Sequence, residues 1–119
     1  MIQVQIEQMR GYLAARFIGE GTLEEAIQQF ELIAENCART NNNKLLVDWT
    51  GAYGHASIAE RYFMGERARI FAHYKLKVAS VSRPEQQDSK LFGELVAQNR
   101  GVTTRTFTDT QSAEEWLLK

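Results

Sequence analysis

"KLLVDWTGAYGHAS", residues 44–57, passes from an apolar run through two glycines to a serine, and the fold turns on reading it as a strand that leads into a helix. Residues 44–49 form a short apolar run of the kind a strand covered on both faces shows. Ser57 followed three residues later by Glu60 is a capping box, so a helix opens there and its apolar pattern carries on to about His73. Gly51 and Gly54 make the intervening loop, 49–57, bendable, yet they fit neither a phosphate-binding loop nor a dinucleotide fingerprint.

Toward the N-terminus, Ile2, Val4 and Ile6 alternate with Gln3, Gln5 and Glu7, and after Gly11 the alternation resumes at Leu13, Ala15 and Phe17. Two half-buried strands so close together predict an antiparallel hairpin. The period then changes: Leu23, Ala26, Ile27, Phe30, Ile33, Ala34 and Cys37 share one helical face, opened by a Thr22–Glu25 capping box and stopped by the asparagines at 41–43. Toward the C-terminus, "KLKVASVS" (75–82) is a strand that Arg83-Pro84 breaks. "DSKLFGELVAQNRG" (88–101) is a helix whose Leu91, Leu95 and Val96 are expected to turn inward. "VTTRTF" (102–107) is a fifth strand and "DTQSAEEWLLK" (109–119) a last helix. The order ββαβαβαβα predicts one α/β domain over residues 1–119, with a mixed, mostly parallel five-stranded sheet, right-handed crossovers and four covering helices.

That strand order, with Asp48-Trp49-Thr50-Gly51 as an Asp-x-Ser/Thr-Gly turn after the third strand, resembles the STAS fold of anti-sigma-factor antagonists and anion-transporter tails. "KVASV", "AQNRGVTTRTFTD" and "AEEWL" are similar to small bacterial proteins grouped as SpoIIAA-like, or STAS/SEC14-type, and the resemblance covers nearly the whole chain. It implies a cytoplasmic binding or regulatory domain rather than an enzyme, and the expected action is to bind a protein partner or to pair with itself as a homodimer through the loop 49–57 and the second helix. In the antagonists the loop after the third strand ends in Asp-Ser-Ser-Gly and a serine there is phosphorylated; the matching stretch here is Ala56-Ser57-Ile58-Ala59. Ser57 therefore has two readings, a phosphorylated switch by resemblance and a helix cap by spacing. A phosphate at a helix N-terminus meets free backbone N–H groups and the positive end of the dipole, with Arg61 about one turn away.

Other chemistries find little support. A net charge of -1 does not suit a chain that coats a polyanion, and no aromatic-basic module is present, so nucleic acid is not an expected partner. One cysteine permits no internal disulfide and no cysteine-based zinc cluster, and Cys37 lies on an apolar stripe as a core residue does. His55 and His73 have no metal-ligand spacing, so neither metal nor cofactor is expected. The alternating start is not a secretion signal, and no apolar run nears the ~18 residues of a membrane span, which makes the cytoplasm the default. A weak serine hydrolase built on Asp48, His55 and Ser57 is a remote alternative, since no Gly-x-Ser-x-Gly elbow occurs. Asp48 at the carboxyl end of a strand sits where α/β sheets bind ligands, or else it bonds the turn at Thr50 and Gly51.

The stretch 57–75 carries more bulk than one stripe needs, in Ala59, Tyr62, Phe63, Ile70, Phe71 and Tyr74, with Trp49 and Tyr53 just before it. Asp48, Trp49, Tyr53, Ser57, Tyr62, Phe63 and Arg67 are the expected ligand- or partner-binding residues, the aromatic ones lining a pocket or a dimer seam. Residues 60–83 hold six bases against two acids, whereas 20–35 hold five acids and no base. A basic edge beside aromatic groups would take a carboxylate, a phosphate or an acidic partner. The alternative function, implied by the SEC14 side of the resemblance, is a carrier or sensor of a small apolar or acidic, lipid-like ligand held between helix 58–73 and the sheet.

Overall fold

The computed structural model describes residues 1–54 and 56–119, the side chain of Ser89 excepted. His55, named above as a triad base and in the metal reading, lies outside the described residues. In chain order the elements are β1 (Ile2–Gln8), β2 (Leu13–Glu20), α1 (Leu23–Ile27), α2 (Phe30–Arg39), β3 (Lys44–Tyr53), α3 (Ile58–Arg67), α4 (Arg69–His73), β4 (Lys77–Val81), α5 (Gln87–Asn99), β5 (Thr103–Phe107) and α6 (Thr110–Leu117). The strands lie side by side in sequence order, β1 antiparallel to β2 and every later pair parallel. This is the expected mixed sheet with its four helical segments. Two of those segments are broken: the first after Gln28 and the second at Ala68, where ψ values of -18 and -9 tighten the helix toward 3₁₀ geometry.

With consecutive strands adjacent, right-handed crossovers place all the connecting helices on one face of the sheet. That face holds the larger core, built on Phe17, Phe30, Ile33, Val47, Trp49 and Phe71. α6 alone covers the other face, packing Ala113 and Leu117 on Tyr12, Ala14, Leu46 and Val81. The run 44–49 is apolar on both parities for this reason: Leu45, Val47 and Trp49 enter one core and Leu46 the other. Among the described residues no helix is long and apolar enough to cross a membrane.

The structure corrects two readings. β3 does not stop at Trp49 but runs on to Tyr53, because its register against β2 slips from Arg16↔Asp48 to Ile18↔Gly51. Trp49 and Thr50 thus share one position opposite Phe17, a β-bulge, and Asp48 Oδ1 accepts from the Thr50 N–H and hydroxyl at 2.9 and 2.7 Å. The Asp-x-Thr motif is the lock of that bulge, and the loop shrinks to 54–57. Second, α5 buries Val96 as expected but leaves Leu91 and Leu95 outside. It approaches α3 through glycines: a Cβ on Gly65 would fall 2.5 Å from Val96 Cβ and 2.7 Å from the Gly93 carbonyl oxygen. Contact that close selects the small-residue face of α5, and its leucines are left on the far side.

Candidate functional site

The carboxyl ends of β2, β3 and β4 meet the N-termini of α1 and α3, and side-chain hydrogen bonds stitch this end of the molecule together. Ser57 Oγ accepts from the Glu60 N–H at 3.1 Å while Glu60 Oε1 accepts from the Ser57 N–H at 3.1 Å, completing the box. The other Glu60 oxygen accepts from the Glu24 N–H at 3.2 Å, tying α3 to the start of α1. Thr22 and Glu25 form the same box, and there the spare oxygen accepts from Ile2 N–H at 3.2 Å, tying α1 to the hairpin. Backbone donors, first Thr22 for Glu25 and Ser57 for Glu60, hold both carboxyls below the usual carboxylate range.

The loop after β3 is pinned to the loop after β2. The Gly21 N–H donates to the Tyr53 carbonyl at 3.0 Å, and Gly54, at φ +146, lies so near Gly21 that any Cβ would strike its carbonyl oxygen. From the other side the turn after β4 clasps the end of β3. Gln86 Nε2 donates to the Trp49 and Ala52 carbonyls at 3.0 and 3.1 Å, and Arg83 donates to the carbonyls of Thr50 and Ala52 while its guanidinium lies 4.0 Å over the Tyr53 ring. Gln86 was invisible as a site residue in the sequence, because nothing in its spacing ties it to a strand 34 residues earlier.

The expected site residues separate into four places. Trp49 is core, 3% exposed and stacked on Phe17 at 4.6 Å. Asp48 faces the α6 side with its register partner Val81, 3.9 Å from Arg16. Tyr53 is exposed at the end of β3 under Arg83. Only Ser57, Tyr62, Phe63 and Arg67 share α3, with Tyr62 and Phe63 edge to face at 6.0 Å and the Tyr62 hydroxyl taking a hydrogen bond from Arg100 at 3.1 Å. Phe63 and Arg67 border an open groove of about 330 Å³ with Glu24, Ile27 and Glu60. The six bases of 60–83 form no single edge: Lys77 donates to the Trp116 carbonyl at 2.6 Å on the α6 side, and Arg69 lies 3.5 Å from Glu66.

No protein-family model matches the sequence, and no curated protein matches it either. Solved structures do. An uncharacterized DUF3478-family protein with a SpoIIAA-like fold from Shewanella loihica superposes with a TM-score of 0.57 at 22% identity, over 98% of this chain and 93% of that one. An anti-sigma factor antagonist from Mycobacterium paratuberculosis gives 0.64 at 14% identity over 100% and 96% of the two chains. The Bacillus cell fate determinant SpoIIAA, in its phosphorylated form, gives 0.56 at 14% over 96% and 99%. The chain has the SpoIIAA-like fold.

Within this SpoIIAA-like fold two small cavities flank Trp49. One, of about 40 Å³, lies between the helices and the sheet and touches Val47, Met64, Phe71, Lys90 and Ala97. Pockets that enclose organic ligands run to roughly 300–1,000 Å³, well above the volume of this cavity. The other, of about 50 Å³, opens at the carboxyl ends of the strands between Gly21, Thr22, Tyr53, Gln86 and Lys90. Lys90 is 7% exposed and its Nζ sits 3.9 Å over the Trp49 ring. Burial, then the charges of Arg61 and Arg83, push its amine down to about 8. The signal for Lys90 is its place at i, i+3 and i+7 with Gly93 and Ala97, the face that the glycine contact turns inward.

Proposed function

We propose that this domain is a non-enzymatic, cytoplasmic regulatory module that docks a protein partner on the outer face of α3 and α5, with Ser57 at the rim of that face. The observation that carries the reading is where its apolar surface lies. Among the described residues, six of eleven exposed large apolar side chains are on these two helices: Ile58, Tyr62, Phe63, Leu91, Phe92 and Leu95. Exposed apolar groups gathered on neighbouring elements mark recognition surfaces more often than chance solvent contacts. Arg67 beside Phe63 supplies a cation for an acidic fringe on the partner. The fold is shared with an anti-sigma factor antagonist and with a phosphorylated SpoIIAA, which supports a regulatory role carried by protein contacts.

Ser57 fits this reading as the switch. A phosphoryl group on its hydroxyl would set about two negative charges against Glu60, whose carboxylate already holds the Ser57 and Glu24 N–H groups. Opening the box would free the start of α3 from α1 at the edge of the docking face.

The test is capture of partners by the tagged chain in its own cells, with light scattering of the pure protein to detect a second copy of itself. Tyr62→Asp and Phe63→Asp are expected to lose whatever the wild type holds, and Leu32→Asp, on the exposed side of α2, to keep it. If all three variants hold the same partner as the wild type, the face assigned to α3 is wrong.

A further inference from the structure

We propose that the cavity at the carboxyl ends of β2, β3 and β4 binds a small oxyanion, a phosphate or carboxylate group of a free small molecule, on the Lys90 ammonium and the Trp49 indole N–H. The proposal does not depend on the docking face and concerns other residues. Lys90 lines the cavity at 7% exposure, with no ion pair and no hydrogen bond among the described residues, and its Nζ lies over the Trp49 ring. A buried charge without a partner is costly, and buried ammonium groups are normally paired. Two further buried donors find no acceptor among the described residues: the indole N–H of Trp49, a residue that lines the cavity, and Arg61 Nε, whose residue does not line it. Buried polar atoms that lack partners at one end of a sheet call for a ligand that supplies acceptors.

The charges that face Lys90 are lopsided. Arg61 on α3 and Arg83 on the turn after β4 both act on it, and Arg83 is already committed to Glu85 and to the β3 carbonyls. No carboxylate on the packed elements pairs with Lys90 among the described residues: Glu94, one turn on in α5, accepts from the Thr106 N–H at 2.6 Å, and Glu25 is held by Thr22 and Ile2. What is missing is a negative charge. The cavity volume of about 50 Å³ exceeds the ~10–15 Å³ that one water needs and suits one small anionic group.

An oxyanion there would restore the ammonium form of Lys90. Because burial holds the amine near 8, acetate should bind about tenfold more weakly at pH 9 than at pH 7, a range over which the carboxylate itself does not titrate. The full chain, labelled with ¹⁵N, is titrated at pH 7 with inorganic phosphate and, separately, with acetate, against chloride at matched ionic strength. Thermal melts with acetate at pH 7 and pH 9 accompany the titrations. The expected result is a saturable shift of the Trp49 indole N–H while the Trp116 indole stays put, a binding constant weakened roughly tenfold or more in Lys90→Met, and acetate stabilisation that fades at pH 9. Phosphate acting at lower concentration than acetate would assign the site to phosphate groups, and the reverse order to carboxylates. No saturable shift with either anion, an unchanged response in Lys90→Met, or acetate binding equal at the two pH values would each overturn the proposal. The pH comparison uses the wild type and stands even if the variant does not fold.

Discussion

The two faces of the α3–α5 pair depart from the usual arrangement of an amphipathic helix: Met64 and Val96 are buried, yet so is Lys90, and large apolar side chains stand outside. The inner face, against the sheet and between the helices, carries Gly65, Gly93, Ala97 and the buried Lys90; the outer face carries Tyr62, Phe63, Leu91 and Leu95. Helices ordinarily put their bulk inward because burying a large apolar side chain stabilises the fold by roughly 1.5–3 kcal/mol. Here that gain is forgone on the outside, and an ammonium group is desolvated on the inside. Neither choice serves stability alone, and the two proposals divide along them: the oxyanion site takes the inner face and partner docking the outer one. The contrast can be tested one face at a time.

The inner face should give the largest effects. Lys90→Met keeps the length of the side chain and removes the buried charge, so the variant is expected to be more stable at pH 7 by about 3 kcal/mol. The pH dependence has a definite sign. The amine titrates near its ordinary 10.5 in the unfolded chain and near 8 in the fold, so between those values the unfolded chain binds more protons and stability climbs with pH. Denaturant midpoints between pH 7 and 9 should rise in the wild type and stay flat in Lys90→Met. Above that window the Cys37 thiol, pushed up by burial to about 11, and Tyr12, pushed up by burial and its bond to Glu114 to about 12, work in the opposite direction. A wild type whose midpoint does not rise to pH 9 would mean that Lys90 is charged and solvated.

Gly65→Ala is next. In an exposed helix that change gains about 0.5–1 kcal/mol, but here the new methyl meets Val96 and the Gly93 backbone, and overpacking costs about 1–3 kcal/mol, for a net loss of about 1–2 kcal/mol. Gly93→Ala meets only the movable end of Met64 and should cost less. Equal melting temperatures for the two variants would show that the helices are not in backbone contact at Gly65.

These glycines also explain what could be read from the sequence. The strand order, the hairpin and both capping boxes were legible, since each is a local pattern: alternation, helical period, Ser or Thr followed by Glu. Leu91 and Leu95 were misplaced because the amphipathic rule assigns the largest apolar groups to the core, and nothing in one helix reveals that its neighbour approaches through a glycine. Trp49 was grouped with Tyr62 and Phe63 through proximity in sequence, whereas alternation with Leu45 and Val47 along β3 carries it into the core. Lys90, Gln86 and Arg83 meet the end of β3 across more than 30 residues, beyond the reach of any spacing argument.

Ser57→Ala should destabilise by on the order of 1 kcal/mol, the usual cost of losing a cap. A thermal melt unchanged by it would remove Ser57 from the stitching between α3 and α1. Smallest of all should be the outer face. Tyr62→Ala, Phe63→Ala and Leu95→Ser are each expected to shift stability by no more than about 0.5 kcal/mol, as surface substitutions do, with Tyr62 alone giving up a hydrogen bond to Arg100. Yet they truncate three of the six exposed apolar side chains proposed for docking. Silent melts joined to lost association would separate the faces cleanly, one made for folding and the charged cavity, the other for a partner. Losses of 2 kcal/mol or more would instead place these side chains in a covered core, and the docking surface would have to be sought elsewhere.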